Sequence, residues 1–383
     1  MLRADLPLVE RPESLNYIGV FLTFGCNLNC SYCINDPDQV GARGAMGATE
    51  MPAELWVAGL SRLAPSLGPD LPITLQGGEP TMYGHGRGLR DILGGVDAKF
   101  DLLTNLALPP PSMQRCIGGH AERLRRSAPY PSIRVSYHPG EMDRVWQRGL
   151  ETLVERCEAL RASGFVVDPD KRVSDVGIYL VAHPDNLPKL EEASRITEGR
   201  IPFESKEFLG LAGGILHGSY KYPYSTDLVA GGHWPRGLSC RCRTTELLID
   251  PLGFVWPCHH HLYETWMQGG TRAAFETLRQ REFAFGTDAV QGLPHKPVGH
   301  LLDPGFTLET LAVFRACAHY GACIGCDTKA KNNRFQSLYD IGEAHTSVEI
   351  IDIAFPPSVL ETVPRAQREA LARIGALRPT VSL

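Results

Sequence analysis

Short apolar runs alternate with amphipathic stretches over roughly the first 210 residues of the chain. The runs predict six strands, at residues 17–24, 73–76, 100–104, 132–138, 176–181 and 203–209. Apolar residues at helical spacing predict helices between them, at residues 52–63, 150–160 and 187–196 among others. Strand–helix units in series imply a parallel sheet with right-handed crossovers, and six units are too few to close an eight-stranded barrel. We therefore predict an α/β fold, a partial (β/α)6 TIM-like barrel.

The unusual polar features of this half of the chain all follow or end predicted strands. They are the cysteines Cys26, Cys30 and Cys33 after the first strand, Gly77 and Gly78 after the second, Asn105 after the third, and Ser136 and His138 on the fourth. The carboxyl ends of parallel strands meet at one edge of a sheet, where chemistry gathers in such folds. The pattern therefore predicts a single active site at that edge.

Cys26, Cys30 and Cys33 have the spacing of a metal-binding loop. Three thiolates can hold three irons of a [4Fe-4S] cluster and leave the fourth iron open, which is typical of a catalytic metal site. Three buried structural cysteines are the alternative. The intervening Asn27, Asn29 and Ser31 make the segment polar and favour the metal-binding interpretation.

Gly77-Gly78-Glu79-Pro80 follows the second predicted strand. Two glycines allow the backbone to approach a ligand closely, and Pro80 restricts Glu79 to extended geometry. On the residues alone the segment could equally be an ordinary turn.

A second group of cysteines lies after a segment rich in Gly, Pro and aromatic residues. Its members are Cys240, Cys242, Cys258, Cys317, Cys323 and Cys326. A hairpin predicted around residues 250–253 would return the chain beside itself, so that its flanking cysteines can meet at one metal. Residues 323–326 add a Cys-x-x-Cys pair, and four thiolates suit either an iron–sulfur cluster or zinc.

The remaining cysteines and histidines near these groups have simpler interpretations. Cys116 and Cys157 are expected to pack in the interior. The run at residues 259–261 could add a histidine ligand to the second cysteine group, although such runs are commonly solvent-exposed.

Composition limits the classes of function. The chain has 383 residues, a net charge of −5 and an ordinary hydrophobic fraction of 43%. This charge gives no electrostatic basis for binding nucleic acid or an anionic membrane, and we expect neither as a partner. Eleven cysteines without a signal peptide or an apolar run of membrane-spanning length favour metal binding over disulfides and a cytoplasmic location.

The first cysteine group and the glycine motif together resemble the radical S-adenosylmethionine (radical SAM) superfamily. The resemblance rests on Cys-x-x-x-Cys-x-x-Cys with Tyr32 before the last cysteine, and on Gly77-Gly78-Glu79-Pro80 about fifty residues later. It implies that Cys26, Cys30 and Cys33 hold a [4Fe-4S] cluster whose open iron binds SAM. It also implies a SAM-binding role for Tyr32, Gly77, Gly78, Glu79 and Pro80. Asn105 and Ser136 match its SAM-contacting polar groups more weakly, since polar residues at strand ends are commonly caps or turn formers. His138 could face the cavity as a further SAM-binding residue or be a structural histidine.

The second cysteine group is similar to the SPASM/twitch extension of that superfamily, which carries auxiliary [4Fe-4S] clusters. Cys242, Gly253, Cys258 and a later Cys-x-x-Cys carry this resemblance, while the downstream order departs from the full seven-cysteine form. It implies one auxiliary cluster, with a second not excluded. Cys242, Cys258, Cys323 and Cys326 are the preferred ligands, Cys240 can replace Cys242, and Cys317 stays a spare or second-site ligand.

The resemblance implies an enzyme of oxidoreductase type that cleaves SAM reductively and abstracts a substrate hydrogen. We expect oxidation or crosslinking of a peptide or small metabolite, with the auxiliary cluster accepting an electron, and a flavodoxin- or ferredoxin-type electron donor. The sixteen residues before the first strand leave no room for a peptide-recognition domain. This slightly favours a small molecule, or a peptide bound without a dedicated recognition domain. A redox-neutral isomerase, epimerase or methylating enzyme is the alternative, and an iron–sulfur carrier or a zinc protein are the rival classes.

Domain organisation and substrate contacts follow from the same sequence features. We predict a radical SAM barrel at residues 1–215, a linker at 216–239, an auxiliary cluster domain at 240–330 and a C-terminal extension at 331–383 with a helix near 364–377. Candidate substrate contacts are His183, Glu204, Lys206 and Glu207.

Overall fold

The computed structural model shows an α/β protein built on one large sheet. It describes residues 6–13, 15–33, 50–69, 71–125, 130–164, 167–168, 173–208, 210–212, 215–217, 220–222, 226–228, 238–244, 246–267, 270–285, 288–320, 348–354 and 365. The strands are β1 Tyr17–Thr23, β2 Ile73–Gly77, β3 Phe100–Thr104, β4 Ile133–Tyr137, β5 Val167–Asp168, β6 Val173–Ser174, β7 Val176–Ala182, β8 Phe203–Glu207, β9 Gly210–Ala212, β10 Ile215–His217, β11 Tyr220–Tyr222, β12 Thr226–Leu228, β13 Leu238–Thr244, β14 Glu246–Ile249, β15 Phe254–Trp256, β16 Gly299–His300, β17 Arg315–Tyr320 and β18 Val348–Ala354.

Helices connect the strands of the large sheet. They are α1 Ala53–Leu67, α2 Arg87–Gly95, α3 Pro110–Ile117, α4 Ala121–Leu124, α5 Pro139–Val145, α6 Gly149–Ala162, α7 Leu190–Thr197, α8 His259–Met267 and α9 Gly270–Gln280, with short 3-10 segments at Pro80–Gly86, Leu187–Lys189 and Glu309–Ala312. The predicted helical face that begins at Leu150 and contains Cys157 is buried on α6. No helix in the described part of the chain is long and apolar enough to cross a membrane.

The six strands predicted from the apolar runs form a continuous parallel series in the sheet. Their order is β1-β2-β3-β4-β7-β8, and each neighbouring pair is parallel. The predicted α/β fold with a partial (β/α)6 barrel is therefore confirmed. Strands inside this sheet are buried on both faces, which favours parallel packing under helices: five of the seven β7 residues and all but one of the β1 residues are buried.

The sheet continues beyond β1 through a hairpin. β14 pairs in parallel with β1, β15 pairs antiparallel with β14, and β16 pairs antiparallel with β15. The hairpin predicted around residues 250–253 is present, and its turn is organised by Asp250. The Asp250 carboxylate accepts hydrogen bonds from Leu252 N at 2.9 Å, Phe254 N at 3.1 Å and Trp256 Nε1 at 3.0 Å.

Three cysteines of the second group lie on a smaller, three-stranded sheet with the order β17-β13-β18. They are Cys240 and Cys242 on β13 and Cys317 on β17. The predicted domain at 240–330 therefore contributes strands both to this small sheet and, through β14–β16, to the large one. The proposed domain boundaries stay predictions. Cys323, Cys326 and most of the predicted linker and C-terminal extension, including its helix, lie outside the described residues.

Candidate functional site

A cavity of about 390 Å³ opens at the carboxyl ends of the parallel strands. The sequence-predicted residues that line it are Cys26, Cys30, Tyr32, Cys33, Gly77, Gly78, Asn105, Ser136 and His138. They come from four different strand ends, separated in sequence by up to about a hundred residues. The structure therefore brings the predicted residues together at one place.

The cysteine loop begins directly after β1 and turns back on itself. Cys33 N donates to the Cys30 carbonyl at 3.1 Å, and the three thiols are half-buried. Leu28 N points at Cys26 Sγ at 3.4 Å, and the Asn105 side-chain amide lies 3.8 Å from the same sulfur. These N–H groups favour a thiolate over a thiol at Cys26.

Burial acts against ionisation of the free thiols. It raises the pKa of Cys26 to about 11 and raises the pKa of Cys30 as well, with the neighbouring thiols adding to the effect at Cys30. A cation bound to the three sulfurs would supply the positive charge that offsets this effect and would displace the protons.

Gly77 and Gly78 lie against the start of the cysteine loop. Gly78 N donates to Thr23 O and Glu79 N donates to Gly25 O, both at 2.8 Å. A Cβ at Gly77 or Gly78 would lie 2.2 Å from a carbonyl oxygen of that segment, and Gly77 has a φ of +133°. Only glycine fits this close approach, which fixes the loop relative to the end of β2.

The Glu79 side chain is buried beneath the cavity and does not line it. Its carboxylate accepts hydrogen bonds from Thr81 Oγ1 at 2.6 Å, Thr104 Oγ1 at 2.7 Å and Asn105 N at 2.7 Å, with a fourth from Thr81 N at 3.1 Å. Burial raises the pKa of Glu79, while these donors favour the charged form. Glu79 therefore ties the end of β2 to the end of β3.

Asn105 connects this network to the cysteine loop. Its Nδ2 donates to Asn27 Oδ1 at 2.7 Å, and its Oδ1 accepts from Ala107 N at 2.9 Å. Asn105 thus holds the cysteine loop in the structure, a contact that the sequence did not predict. Ser136, on β4 in the middle of the sheet, also lines the cavity.

Tyr32 is packed between two histidines. Its hydroxyl lies 3.0 Å from His138 Nδ1, and its ring stacks on His183 with centroids 4.9 Å apart. Burial lowers the pKa of His138 to about 4, so the ring is neutral near pH 7 and Nδ1 can accept from the tyrosine hydroxyl. His183, predicted as a substrate contact, packs against Tyr32 and Phe208.

Several cavity residues were not predicted. Tyr179 and Val181 lie two positions apart on β7, and strand alternation could have indicated that they share a face. Lys206, which was predicted, lies with Nζ 4.8 Å from the Tyr179 ring centre. Glu204 does not line the cavity, and the side chain of Glu207 is outside the described part of the structure.

His259 and Tyr263 also line the cavity, and they come from α8. They are one helical turn apart, and nothing in the local sequence places this helix over the strand ends. His259 lies 3.6 Å from the buried Glu246, so it is not the solvent-exposed residue that a histidine run suggests. Only the tertiary structure shows that α8 forms part of this wall.

Three cysteines of the second group surround Arg315. Cys240 of β13 pairs with Cys317 of β17, and Cys242 pairs with Arg315. The thiols of Cys242, Cys258 and Cys317 all act electrostatically on the Arg315 guanidinium, and they oppose the lowering of its pKa by burial. Nη1 and Nη2 of Arg315 are buried and have no hydrogen-bond partner among the residues that the structure describes.

This arrangement fits an anionic group ligated by cysteines. A buried guanidinium without a bonded acceptor is costly, and thiolate-bound sulfide or thiolate sulfur would supply acceptors of the right charge. Cys317, left as a spare ligand by the sequence, lies in this group, whereas the preferred Cys323 and Cys326 fall outside the described residues.

No protein-family model and no curated protein matches the chain. Solved structures that it resembles include "Native anSMEcpe with bound AdoMet", at 13% identity and a TM-score of 0.40 over 77% of this chain and 80% of that one. "Crystal structure of Streptococcus suis SuiB" matches at 13% identity and a TM-score of 0.39 over 67% and 68% of the two chains.

Proposed function

We propose that this chain is a radical SAM enzyme. The observation that supports it best is the cavity at the strand ends, where three thiols, a glycine pair and Asn105 face the same space. A structural zinc protein or an electron carrier has no need of three thiols beside a large ligand-sized cavity, since structural sites are closed by protein ligands.

The residues present fit a site-differentiated cluster with SAM. Cys26, Cys30 and Cys33 would hold the [4Fe-4S] cluster, and the backbone of Gly77 and Gly78, which lines the cavity, would bind SAM beside it. Such a cluster supplies one electron that cleaves SAM to methionine and a 5′-deoxyadenosyl radical, which abstracts a hydrogen atom from the substrate.

The protein itself orients the reactants and excludes water. Glu79 and Asn105 fix the strand ends and the cysteine loop, as their hydrogen bonds indicate. The neutral His138 accepts from Tyr32 and holds the tyrosine against the cavity wall. Aromatic side chains of β1 and α8, Phe21 and Tyr263, cover the apolar side with centroids 5.9 Å apart.

We further propose that the cysteines around Arg315 hold an auxiliary [4Fe-4S] cluster that accepts an electron during net oxidation or crosslinking of the substrate. The buried, cationic Arg315 supports this role, because a positive charge beside a cluster favours its reduced form. A peptide or a small metabolite is the substrate class, and Lys206 in the cavity would suit an anionic group on it. A reducing, cytoplasmic setting and a flavodoxin- or ferredoxin-type donor suit these oxygen-sensitive groups.

The first experiment is SAM cleavage under anaerobic conditions. The reconstituted protein is reduced with dithionite, SAM is added, and 5′-deoxyadenosine is measured by mass spectrometry for the parent and for Cys30→Ala. Cys157→Ala is the matched control, because Cys157 is fully buried on α6 and lies away from the cavity. We expect 5′-deoxyadenosine from the parent and the control and none from Cys30→Ala.

Iron analysis of the same samples separates the rival classes. Two cubanes require about eight irons per chain, and loss of one site leaves about four. Full iron with neither SAM binding nor cleavage would support a carrier, whereas stoichiometric zinc in place of iron would support a structural zinc protein. Either result would contradict the proposal.

A further inference from the structure

Two histidines and a glutamate converge on the face of α8 next to the one that lines the cavity. We propose that His260, Glu264 and His295 form a binding site for one divalent transition-metal ion, with Zn²⁺ the best match to the donors. The inference concerns residues outside both cysteine groups and does not depend on the proposed function.

The geometry of the three side chains is that of a preformed ligand set. Glu264 Oε2 lies 3.2 Å from His260 Nε2 and 2.6 Å from His295 Nε2. One ligand atom from each residue lies within 4.8 Å of the other two. Donors bound tetrahedrally at about 2.1 Å from zinc are about 3.4 Å apart, so small side-chain rotations would complete the site.

Local structure explains how the ligands meet. His260 and Glu264 are four residues apart on α8, so they lie one above the other on the same helical face. His295 comes from the segment that leads into β16. Its ring stacks on His261 with centroids 4.0 Å apart and planes inclined by 11°, which restricts its orientation.

Burial and charge also suit a metal ion. The side chains of His260 and His295 are only 12% and 15% exposed, while Glu264 is 35% exposed and leaves a path from solvent. Two neutral imidazoles and one carboxylate carry a single negative charge, which partly neutralises a divalent cation.

The donor set selects the class of metal. Two imidazoles and one carboxylate suit zinc or ferrous iron, whereas calcium and magnesium prefer oxygen ligands alone. Three protein ligands leave a fourth position for water or another ligand.

The proposed metal site lies next to the cavity. The cavity is lined by His259 and Tyr263, which precede His260 and Glu264 on α8, and a helix turns about 100° per residue, so the metal would lie beside the cavity wall. A bound ion would clamp the segment around His295 onto α8 and so hold α8 in place.

The test is zinc binding by the full, anaerobically reconstituted chain, read as the difference between the parent and each variant, so that any zinc bound by cysteines cancels. The protein is incubated with Zn²⁺ and desalted, zinc and iron are counted by mass spectrometry, and affinity is measured by competition with a chromophoric chelator. We expect about one zinc per chain, bound at least about tenfold more weakly by His295→Ala and by Glu264→Gln. Zinc should also raise the melting temperature of the parent and not that of the variants.

The matched control is His120→Ala. His120 is a surface histidine with a carboxylate, Glu122, at 3.8 Å and no third ligand among the described residues, so its removal should leave zinc binding unchanged. Iron content and circular dichroism verify the fold, and Glu264→Gln, which keeps the side-chain shape, decides the matter if His295→Ala is unstable. No zinc retained by the parent, or equal retention by the parent and Glu264→Gln, would overturn the proposal.

Discussion

At the scale of single residues, the candidate site is organised by one buried carboxylate. Glu79 accepts hydrogen bonds from the backbone and side chains of two neighbouring strand ends. Asn105, which is one of these donors, also donates to Asn27 and so fixes the cysteine loop. Charge-assisted hydrogen bonds of this kind are stronger than neutral ones, and a donor left without its acceptor in the interior is costly. The role of Glu79 is therefore to position other groups.

We expect Glu79→Gln to weaken both the fold and ligand binding. The amide would place an NH2 group opposite one of the donors, at a cost of about 2 kcal/mol in the free energy of unfolding. SAM affinity, measured by equilibrium binding to the reconstituted protein, should fall about tenfold. Glu122→Gln, at an exposed glutamate, is the control, and unchanged SAM affinity in Glu79→Gln would contradict this role.

The charge on Arg315 should influence the auxiliary cluster that we propose for the cysteines around it. Arg315→Gln keeps a side chain of similar length and removes the cation, so the reduction potential of the auxiliary cluster should become more negative. The potential is measured by EPR-monitored redox titration, with iron content as the check on loading. Arg279→Gln, at an exposed arginine of α9, is the control, and an equal potential in the parent and Arg315→Gln would show that the guanidinium does not act on a cluster.

At the scale of elements, the end of β2 and the cysteine loop behave as one unit. Gly78→Ala would put Cβ 2.2 Å from Gly25 O and 2.6 Å from Phe24 O, and backbone atoms cannot yield as a flexible side chain can. We expect a loss of about 2 to 4 kcal/mol in stability, and a loss of iron from the first cluster site. Gly140→Ala is the matched control, because nothing lies within 4 Å of its added Cβ. A fully iron-loaded Gly78→Ala protein would show that the close approach is unnecessary.

The free energy of unfolding should fall at acidic pH because of His300, at the end of the large sheet. This buried ring donates from Nε2 to Leu252 O at 2.8 Å and accepts at Nδ1 from Leu302 N at 3.1 Å, so it is held neutral. Burial lowers its pKa to about 4, below the unfolded value of about 6.5. Its contribution to stability is therefore complete above about pH 6.5 and is lost as the pH falls toward 4, by about 2 kcal/mol between pH 7 and pH 5.

Urea unfolding of the parent and His300→Gln at several pH values isolates this effect. Asp250 acts in the opposite direction, because burial raises its pKa to about 7 and so lowers stability as the pH rises toward 7. Asp250 is present in both proteins, so the difference between their pH profiles reports His300 alone. Parallel profiles would refute the assignment.

At the scale of the whole molecule, the later part of the chain completes the sheet that the first half begins. β14 covers the edge of β1, and Arg62 of α1 donates to Leu301 O and Asp303 O, each at 2.7 Å. The fully buried Trp256 and Phe254 belong to the same core as Trp56 and Leu60. The two halves of the chain therefore share one hydrophobic core.

We expect a fragment of residues 1–215 to be insoluble or aggregated. Removing β14 to β16 exposes the β1 edge and a large apolar surface, and both promote association. Soluble yield and size-exclusion chromatography compare the fragment with the full chain. A folded, monodisperse fragment would mean that the barrel is independent of the later strands.

The sequence alone determined the repeating part of this protein. Apolar runs such as residues 100–104 specify their strands through local pattern, and strand-end rules then place Cys26, Gly77, Asn105 and Ser136 at one edge. The hairpin at Asp250 was also predictable, because its turn is encoded within a few residues. These features depend on contacts close in sequence or on general rules of parallel sheets.

Only the tertiary structure decided which segments that are distant in the sequence contact one another. It pairs β14 with β1, brings His259 and Tyr263 of α8 over the cavity, and joins His295 to His260 and Glu264. The residues of these segments would be equally compatible with packing against other parts of the chain. A strand edge or an apolar helix face does not by itself specify which segment it pairs with. Burial of the whole core selects one arrangement, and that selection is a property of the complete chain.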